Sequence, residues 1–300
     1  MGVKTVHRNM VPLPDSDMVS TFANIDRAKR LLNFEPRVSL KQGVSRFVRW
    51  YKSVFWPENV VFTTYFTDRE HPEKKQEVRC NSFELMQEWY DSVHALGLHA
   101  IVFHDSLDEA FVARYTTHHV RFVKVVLGER SNNDERFFVY LNYLREKMKV
   151  NPELAPKRVL MTDLFDVRFN RDPFELMKSM TTTASNVDLL FAGSEEEKVG
   201  QNKWAQLRLK QCVVSDGKKT IEMLMNQSLL NPGIVGGRTE TIVPFLTKYT
   251  EELSRAPVSA NCNTPLFNVL IHQSPKWKAA LVTGAPLHTK FRAFDESKQY

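Results

Sequence analysis

Residues 158–169 read Arg158-Val-Leu-Met-Thr-Asp-Leu-Phe-Asp-Val-Arg-Phe169. The apolar start is typical of a short buried strand, and two carboxylates, Asp163 and Asp166, follow it. Ligands bind beyond the carboxyl ends of the strands in an open parallel sheet. Mg²⁺ and Mn²⁺ take oxygen ligands, including one or two carboxylates together with diphosphate oxygens. We therefore interpret the pair as a metal site; in the alternative interpretation Asp163 caps a turn and Asp166 pairs with an arginine.

Upstream of this stretch, short apolar runs alternate with helical patterns. Residues 60–65, 99–103 and 120–127 are rich in β-branched and aromatic side chains, which predicts three strands. Apolar residues at helical spacing predict helices over 81–97 and 133–148. This alternation of strands and helices predicts the α/β class, with a mostly parallel sheet covered by helices on both faces.

Downstream of the stretch, three further segments extend the pattern. Residues 189–195 form an apolar run that ends in small and acidic residues, which predicts another strand. Asn231 and Gly233 lie in a glycine-rich segment, where the backbone is expected to approach a neighbouring group closely. A late helix is expected to begin with Thr264 as its cap and Pro265 in its first turn.

The N-terminal part of the chain differs in pattern and in charge. Residues 20–55 predict a helix pair, in which Ser39 and Gln42 form a capping box before an amphipathic helix. This helix is interpreted as a docking element, and less favourably as a membrane-surface helix. The whole net charge of +6 arises from ten basic and four acidic residues in 1–56. We therefore predict no nucleic-acid partner, because the charge forms no basic face on the larger part.

The overall composition excludes several classes of protein. The chain has 300 residues, 42% of them hydrophobic and 25% charged, which is typical of a globular protein. It contains neither an apolar run long enough to span a membrane nor a cleavable signal, so we expect a cytoplasmic protein. An anchor upstream would instead place it in the Golgi or endoplasmic reticulum. Three distant cysteines, Cys80, Cys212 and Cys262, predict neither a disulfide framework nor a metal site.

The first fifty residues resemble the C-terminal end of nucleotide-sugar epimerases of the UDP-glucuronate 4-epimerase type. The resemblance rests on residues 11–17, 21–26, 28–36 and 43–51. Such enzymes need a glycine-rich dinucleotide turn, and no Gly-x-Gly-x-x-Gly occurs in this chain. Tyr143 and Lys147 match the Tyr-xxx-Lys spacing of their catalytic pair in isolation. We interpret 1–56 as an epimerase-tail appendage without catalysis, in a chain that could belong to a longer fusion with an epimerase.

Residues 57–295 resemble the metal-dependent GT-A glycosyltransferases that carry a DxxD variant of the DxD motif. The resemblance lies in the order strand-DxxD, strand-Ser-Glu, Asn-x-Gly and capped late helix. It implies an Mn²⁺ or Mg²⁺ ion held by Asp163, Asp166 and His288. The alternative for His288 is a histidine of a surface loop without a metal. The implied nucleotide-sugar contacts are Thr63, Thr64, Tyr65, Arg136, Asn231 and Gly233. For Arg136, the alternative is a solvent-exposed charge on a helix surface.

One departure from the family pattern concerns the catalytic carboxylate. Asn261 and Asn263 lie where related sequences carry an acid before the late helix. Glu195 is the remaining candidate near the acceptor, although the run Glu195–Glu197 also fits a solvated acidic turn. His118 and His119 have no carboxylate partner at metal spacing and are interpreted as structural.

The resemblance implies a glycosyltransferase domain over 57–300. It would move a sugar from a nucleotide-sugar, with a UDP-sugar as the expected donor, to a hydroxyl of a glycan or protein. The alternatives are a fragment of an NAD-dependent nucleotide-sugar epimerase and a non-catalytic glycan-binding module. Because two neighbouring carboxylates repel one another without a metal, replacing Asp163 or Asp166 by Asn is expected to leave stability unchanged or raised.

Overall fold

A computed structural model describes residues 18, 23–55, 57–69, 78–150, 152, 155–183, 188–213 and 217–284. The chain divides into two compact units, Met1–Phe55 and Trp56–Tyr300. The epimerase-like and glycosyltransferase-like characters expected of the two parts stay predictions. None of the helices within these described ranges is both long and apolar enough to cross a membrane.

The first unit contains two helices, α1 (Asp26–Leu32) and α2 (Leu40–Phe55). The predicted capping box at the start of α2 is confirmed. The backbone N–H of Ser39 donates to Gln42 Oε1 at 3.2 Å, and that of Gln42 donates to Ser39 Oγ at 3.3 Å. The two side chains thus satisfy backbone groups that the helix start leaves without partners. Residues 11–17 and 19–22, which carry part of the epimerase resemblance, lie outside the described residues.

The second unit is built on a seven-stranded sheet in the order β3-β2-β1-β4-β6-β5-β7. Only β6 runs antiparallel to its neighbours, and the remaining pairs of this sheet are parallel. This confirms the predicted mostly parallel sheet. The strands are β1 (Asn59–Tyr65), β2 (Ala100–His104), β3 (Val120–Lys124), β4 (Arg158–Thr162), β5 (Leu190–Lys198), β6 (Ser228–Arg238) and β7 (Leu281–Val282).

Helices cover both faces of this sheet, as predicted. One core packs α3, α4 and α6 against the sheet, and the other packs α5, α9, α10 and α11. A smaller cluster joins α7 and α8. The helices are α3 (Gln87–Ala95), α4 (Glu109–Tyr115), α5 (Asn132–Val150), α6 (Pro173–Thr183), α7 (Lys203–Cys212), α8 (Gly217–Leu224), α9 (Thr239–Arg255), α10 (Asn263–Gln273) and α11 (Pro275–Ala280).

Successive side chains of β1 alternate between the two cores. Val60 and Phe62 belong to the core beneath α5, whereas Val61 and Tyr65 belong to the core beneath α3. A strand with period-two side chains that is buried on both faces is mostly apolar. This is why residues 60–62 form an unbroken apolar run, whereas Thr63 is buried only with its hydroxyl donating to the Thr162 carbonyl.

Several predicted boundaries differ from those observed by a few residues. The third strand ends at Lys124 instead of residue 127, and the helix expected from residue 81 begins as a 3₁₀ turn, Phe83–Leu85, before α3. Thr264 lies inside α10, whose N-cap residue is Cys262. The reason is a distant group: the buried Asp134 carboxylate accepts the backbone N–H groups of Cys262 and Asn263. A tertiary contact thus replaces the expected local cap.

The expectation that no cysteines pair is wrong. Cys212, the last residue of α7, forms a disulfide with Cys262, which precedes α10, across a sequence separation of 50 residues. Cys80 is free and exposed. Residue spacing could not reveal the bond, because only the packing of α7 against α10 brings the two sulfur atoms together.

Removing this disulfide should lower the stability of the second unit. We expect the double variant Cys212→Ala/Cys262→Ala to lose about 2–4 kcal/mol, because the closed loop restricts the unfolded chain. Urea unfolding of the parent and the variant, each with and without dithiothreitol, measures the difference. Reductant should lower the unfolding midpoint of the parent and of the control Cys80→Ala, which both keep the disulfide, and leave that of the double variant unchanged. An unfolding midpoint of the fully reduced parent equal to that of the oxidised one would contradict the prediction.

Candidate functional site

A cleft of about 690 Å³ lies at the carboxyl ends of β1, β4 and β5. These strands point the same way, and the early part of the antiparallel β6 lies between β4 and β5 at that edge. Most of the residues expected to form the site line this one cleft: Thr64, Arg136, Asp163, Asp166, Glu195, Asn231 and Gly233.

Two residues expected at the site, Thr63 and Tyr65, do not line the cleft. Thr63 is buried and donates its hydroxyl to the Thr162 carbonyl at 2.9 Å. Tyr65 lies in the core beneath α3 and donates its hydroxyl to the Arg79 carbonyl at 2.7 Å. Both follow from strand alternation, because Thr64 between them takes the face that borders the cleft. His288 lies outside the described residues.

Asp163 forms an ion pair with Arg136 of α5. The Nη1 group of Arg136 donates to Asp163 Oδ1, and the side chains are 8% and 36% exposed, respectively. Burial alone would lower the pKa of the Arg136 guanidinium, but the neighbouring Asp163 raises it, so this arginine stays charged. Its Nε is buried without a hydrogen-bond partner among the described residues. The alternative role of a solvated helix charge therefore does not fit Arg136.

An irregularity in β6 brings Gly233 against Asp163. Ala192 of β5 pairs with Val235, but the next residue, Gly193, pairs with Asn231, so residues 232–234 drop out of the pairing with β5. The Gly233 carbonyl accepts the Asp163 backbone N–H at 2.8 Å. A Cβ atom added at Gly233 would lie 2.4 Å from Asp163 Oδ2. Glycine is therefore required here by the close approach of the carboxylate.

A second irregularity, in β5, carries Glu195 to the cleft. Ser194 pairs with Leu230 and Lys198 with Ser228, so the acidic run between them bulges out of the ladder. Glu195 Oε1 accepts a hydrogen bond from Asn231 Nδ2 at 2.8 Å, and Asn231 Oδ1 accepts the Gly233 N–H at 2.8 Å. A continuous polar row thus runs through Glu195, Asn231, Gly233, Asp163 and Arg136.

The donors in the cleft fit a hard divalent cation with few protein ligands. No cluster of three or more His, Cys, Asp or Glu suited to a metal occurs among the residues that the structure describes. Asp163 and Asp166 nevertheless offer carboxylate oxygens to the same cleft, and Gly233 leaves the space beside Asp163 Oδ2 free of side chain. Mg²⁺ binds in this way, through one or two carboxylates with substrate phosphates and water.

The far wall of the cleft consists of residues that sequence reasoning missed. Asn202 caps α7, because its Oδ1 accepts the Ala205 N–H at 2.9 Å, and its Nδ2 donates to Glu197 Oε2 at 2.9 Å. Trp204, in the first turn of α7, also lines the cleft. The only sequence signal was an asparagine before a helical pattern, which indicates a cap but no site.

Asp134 supports the part of the cleft where α10 begins with Asn263 and Thr264. Its carboxylate accepts the Asn263 N–H at 2.7 Å and the Cys262 N–H at 3.1 Å. Burial raises the pKa of Asp134 to about 6, and these two hydrogen bonds oppose the rise. Of the two asparagines expected at the position of a catalytic acid, Asn263 lines the cleft, whereas Asn261 is buried but does not line it.

Two motifs singled out in the sequence lie away from the cleft. Tyr143 packs against the core beneath α5, with Lys147 Nζ 5.1 Å from its ring centre. The rings of His118 and His119 are tilted against each other with centres 3.8 Å apart, and His94 and His99 also contact His119. Burial lowers the pKa of His94, His99 and His119, which favours their neutral imidazole forms.

Comparisons with known proteins give short or loose matches. No family model matches the chain. A probable UDP-glucuronate 4-epimerase of Rhizobium meliloti (strain 1021) is 43% identical over 51 residues, and the UDP-glucuronate 4-epimerase of Thermodesulfobacterium geofontis (strain OPF15) is 39% identical over 49 residues. The uncharacterized protein MJ1055 of Methanocaldococcus jannaschii is 29% identical over 48 residues. These matches cover 16–17% of this chain, and the chain spans only 15% of each relative.

Among solved structures, the chain is similar to the galactosyltransferase LgtC in complex with donor and acceptor sugar analogs. The TM-score is 0.40 at 12% identity, and the match covers 75% of this chain and 73% of that one. An active-site mutant of LgtC matches with a TM-score of 0.42 at 13% identity, over 75% of this chain and 72% of that one. TM-scores below 0.5 mark a loose likeness, and no functional conclusion follows from it.

Proposed function

We propose that the second unit is a GT-A-like, metal-dependent glycosyltransferase. It would transfer a sugar from a nucleotide-sugar, with a UDP-sugar as the expected donor, to a hydroxyl of a glycan or protein. The observation that carries the proposal is the polar row from Glu195 to Arg136 in one cleft at the carboxyl ends of the strands. Open α/β sheets bind their ligands at this edge.

The cation that this proposal requires would be held by Asp163 and Asp166, with diphosphate oxygens and water as further ligands. When bound, it would neutralise the charge that develops on the leaving diphosphate. His288 stays a predicted third ligand. The Arg136 guanidinium adds a fixed positive charge at the same end of the cleft and holds Asp163 by its Oδ1 atom. Fixed charges of this kind stabilise developing charge without reorganisation.

The remaining residues of the row would orient the sugar and the acceptor. Gly233 lets the sugar approach the backbone beside Asp163, because a side chain there would fill the space. Asn231 holds the Glu195 carboxylate by one oxygen. We propose that Glu195 accepts the proton of the attacking hydroxyl. Thr64 borders the end of the cleft near Arg136, where we expect the nucleotide.

A non-catalytic glycan-binding module is the second candidate. Asn263 favours it, since an amide stands in the cleft where related sequences carry an acid. Asp163, Asp166 and Arg136 weigh against it, because a binding module would not need a charged cluster at a strand end. The epimerase alternative is disfavoured, because Tyr143 packs against the core beneath α5 and the chain lacks a Gly-x-Gly-x-x-Gly turn.

The Cys212–Cys262 disulfide leads us to revise the expected cellular compartment. Cys212 and Cys262 are 2% and 0% exposed, so their bond is part of the packed interior. Structural disulfides form and persist in oxidising compartments and are rare in the cytosol. We therefore propose an oxidising compartment, such as the lumen of the secretory pathway, in place of the expected cytoplasm.

A panel of nucleotide-sugars with Mn²⁺ tests the proposed activity. We expect one or more UDP-sugars to release UDP slowly to water, and EDTA to abolish the release because the diphosphate loses its counter-ion. Titration calorimetry with NAD serves as the control for the epimerase alternative, and no binding is expected. If no sugar nucleotide is either bound or cleaved, the chain is not a glycosyltransferase.

A further inference from the structure

The order of the strands gives the cleft two distinct ends. Thr64 of β1 and Arg136 of α5 lie at one end, and Asp163 follows β4 near the middle. Glu195 of β5 lies on the other side of β6, and the chain continues from there into α7. If the diphosphate lies near Asp163 as proposed above, the α7 end faces the acceptor. The inference below rests on that proposed function.

The α7 end presents an aromatic ring among polar side chains. Trp204 lines the cleft and is 37% exposed, which leaves part of a large apolar ring in contact with solvent. The guanidinium carbon of Arg208, one turn further along α7, lies 5.8 Å from its ring centre. Asn202 and Glu197 line the cleft beside Trp204 and are hydrogen-bonded to each other.

The helix that carries Trp204 is held at both ends. The Asn202 side chain caps its start, and Cys212 at its end is bonded to Cys262, immediately before α10. The start of α10 in turn lines the cleft through Asn263 and Thr264, and Asp134 holds its backbone. Two walls of the cleft are thus joined covalently. A binding surface held in this way loses little conformational entropy when it takes up a ligand.

We propose that Trp204 forms an acceptor subsite, on which a neutral pyranose ring of a glycan stacks by its apolar face. A pyranose has an apolar C–H face and polar edges. It therefore matches an exposed ring set among amide and carboxylate groups, since such sites combine apolar contact with a few polar contacts that fix orientation. Glu195 and Glu197 line the same end of the cleft, so a uronic acid would be repelled. The acceptor is a neutral saccharide in preference to an acidic one or a peptide.

Two readouts separate this subsite from the donor side. The first is UDP release from the UDP-sugar in the absence of an acceptor; the second is transfer to p-nitrophenyl β-D-glycosides of glucose, galactose, xylose and N-acetylglucosamine. We expect Trp204→Ala to raise the KM for the glycoside about tenfold or more, as for losing an aromatic stacking contact. The KM for the donor should rise much less than the KM for the glycoside, and Trp204→Phe should recover most of the loss.

The matched control is Leu207→Ala, which truncates an exposed apolar residue of the same helix that does not line the cleft. It should behave like the parent, and all variants should melt within a few degrees of it. An acceptor KM for Trp204→Ala within twofold of the parent would overturn the inference. So would transfer to p-nitrophenyl glucuronide or to a serine peptide at least as efficient as transfer to the neutral glycosides.

Direct binding keeps the inference testable if no donor is cleaved. Saturation-transfer difference NMR with lactose, cellobiose and N,N′-diacetylchitobiose should detect at least one of them on the parent and none on Trp204→Ala. Binding that is lost with Trp204 supports the subsite even if the chain releases no UDP, in which case the proposed transfer fails and the saccharide site stands. Equal signals on both proteins, or no signal on either, would rule the subsite out.

Discussion

Replacing Asp163 or Asp166 by Asn should lower the rate of sugar transfer by about a hundredfold or more, as for removing a main contact to developing charge. Each substitution keeps the size of the side chain and removes one charge from a metal site with few protein ligands. The increase in melting temperature produced by Mn²⁺ with UDP should fall in both variants, because affinity for the ion and for the diphosphate is lost together. A thermal shift assay with and without these ligands measures the effect.

The two variants should differ in stability without ligands. In Asp163→Asn the Arg136 guanidinium, whose side chain is 8% exposed, keeps an amide oxygen as its partner instead of a carboxylate. This substitution should lower the free energy of unfolding by about 1–3 kcal/mol. Asp166 is exposed, and Asp166→Asn should change stability little. This replaces the expectation that neither substitution would destabilise the protein. Asp188→Asn, at an exposed position outside the cleft, is the control. A full ligand-induced shift in either cleft variant would remove that residue from the site.

Gly233→Ala should weaken donor binding about tenfold or more, and Gly233→Val should abolish it while the protein still folds. The added Cβ would lie 2.4 Å from Asp163 Oδ2 and 3.0 Å from Asn231 Oδ1. Arg136 holds the other oxygen of Asp163, so the carboxylate cannot turn away without breaking the ion pair. A displaced Asp163 carboxylate would hold the cation less well, so affinity for the ion and for the diphosphate should fall together.

Calorimetric titration of UDP with Mn²⁺ measures this effect, and circular dichroism checks that the variants are folded. Gly43→Ala, in α2 of the first unit, is the control, because a Cβ there meets only Val38 at 4.0 Å. Its UDP affinity should equal that of the parent. Unchanged UDP affinity in Gly233→Ala would show that the glycine is needed only for the backbone conformation of β6 and not for ligand binding.

Several elements of the fold could be predicted because local features determine them. Residues 60–65 belong to a strand that is largely buried on both faces, so a run of β-branched and aromatic residues is enough to identify it. The capping box of Ser39 and Gln42 involves side chains three residues apart and backbone groups of the same helix turn. The strand before Asp163 is expected over 158–161 and ends one residue later, at Thr162, because a short apolar run marks its extent.

The candidate site was only partly predictable. Thr63 and Tyr65 were expected beside Thr64, but strand alternation turns both side chains away from the cleft. Arg136 was assigned to the ligand, whereas its partner in the structure is Asp163, 27 residues further along the chain. Trp204 carried no signal at all, because a tryptophan at the start of an amphipathic helix is indistinguishable from a core residue until the packing is known.

The sequence by itself determined the strand-and-helix alternation and the position of Asp163 and Asp166 at a strand end, since both depend on residues that are neighbours in the chain. Tertiary structure decided which groups meet. The irregular pairings of β5 and β6 bring Glu195, Asn231 and Gly233 into line with Asp163. The bond between Cys212 and Cys262 joins α7 to α10. Such contacts depend on how many distant segments pack at once, and no local pattern of residues encodes them.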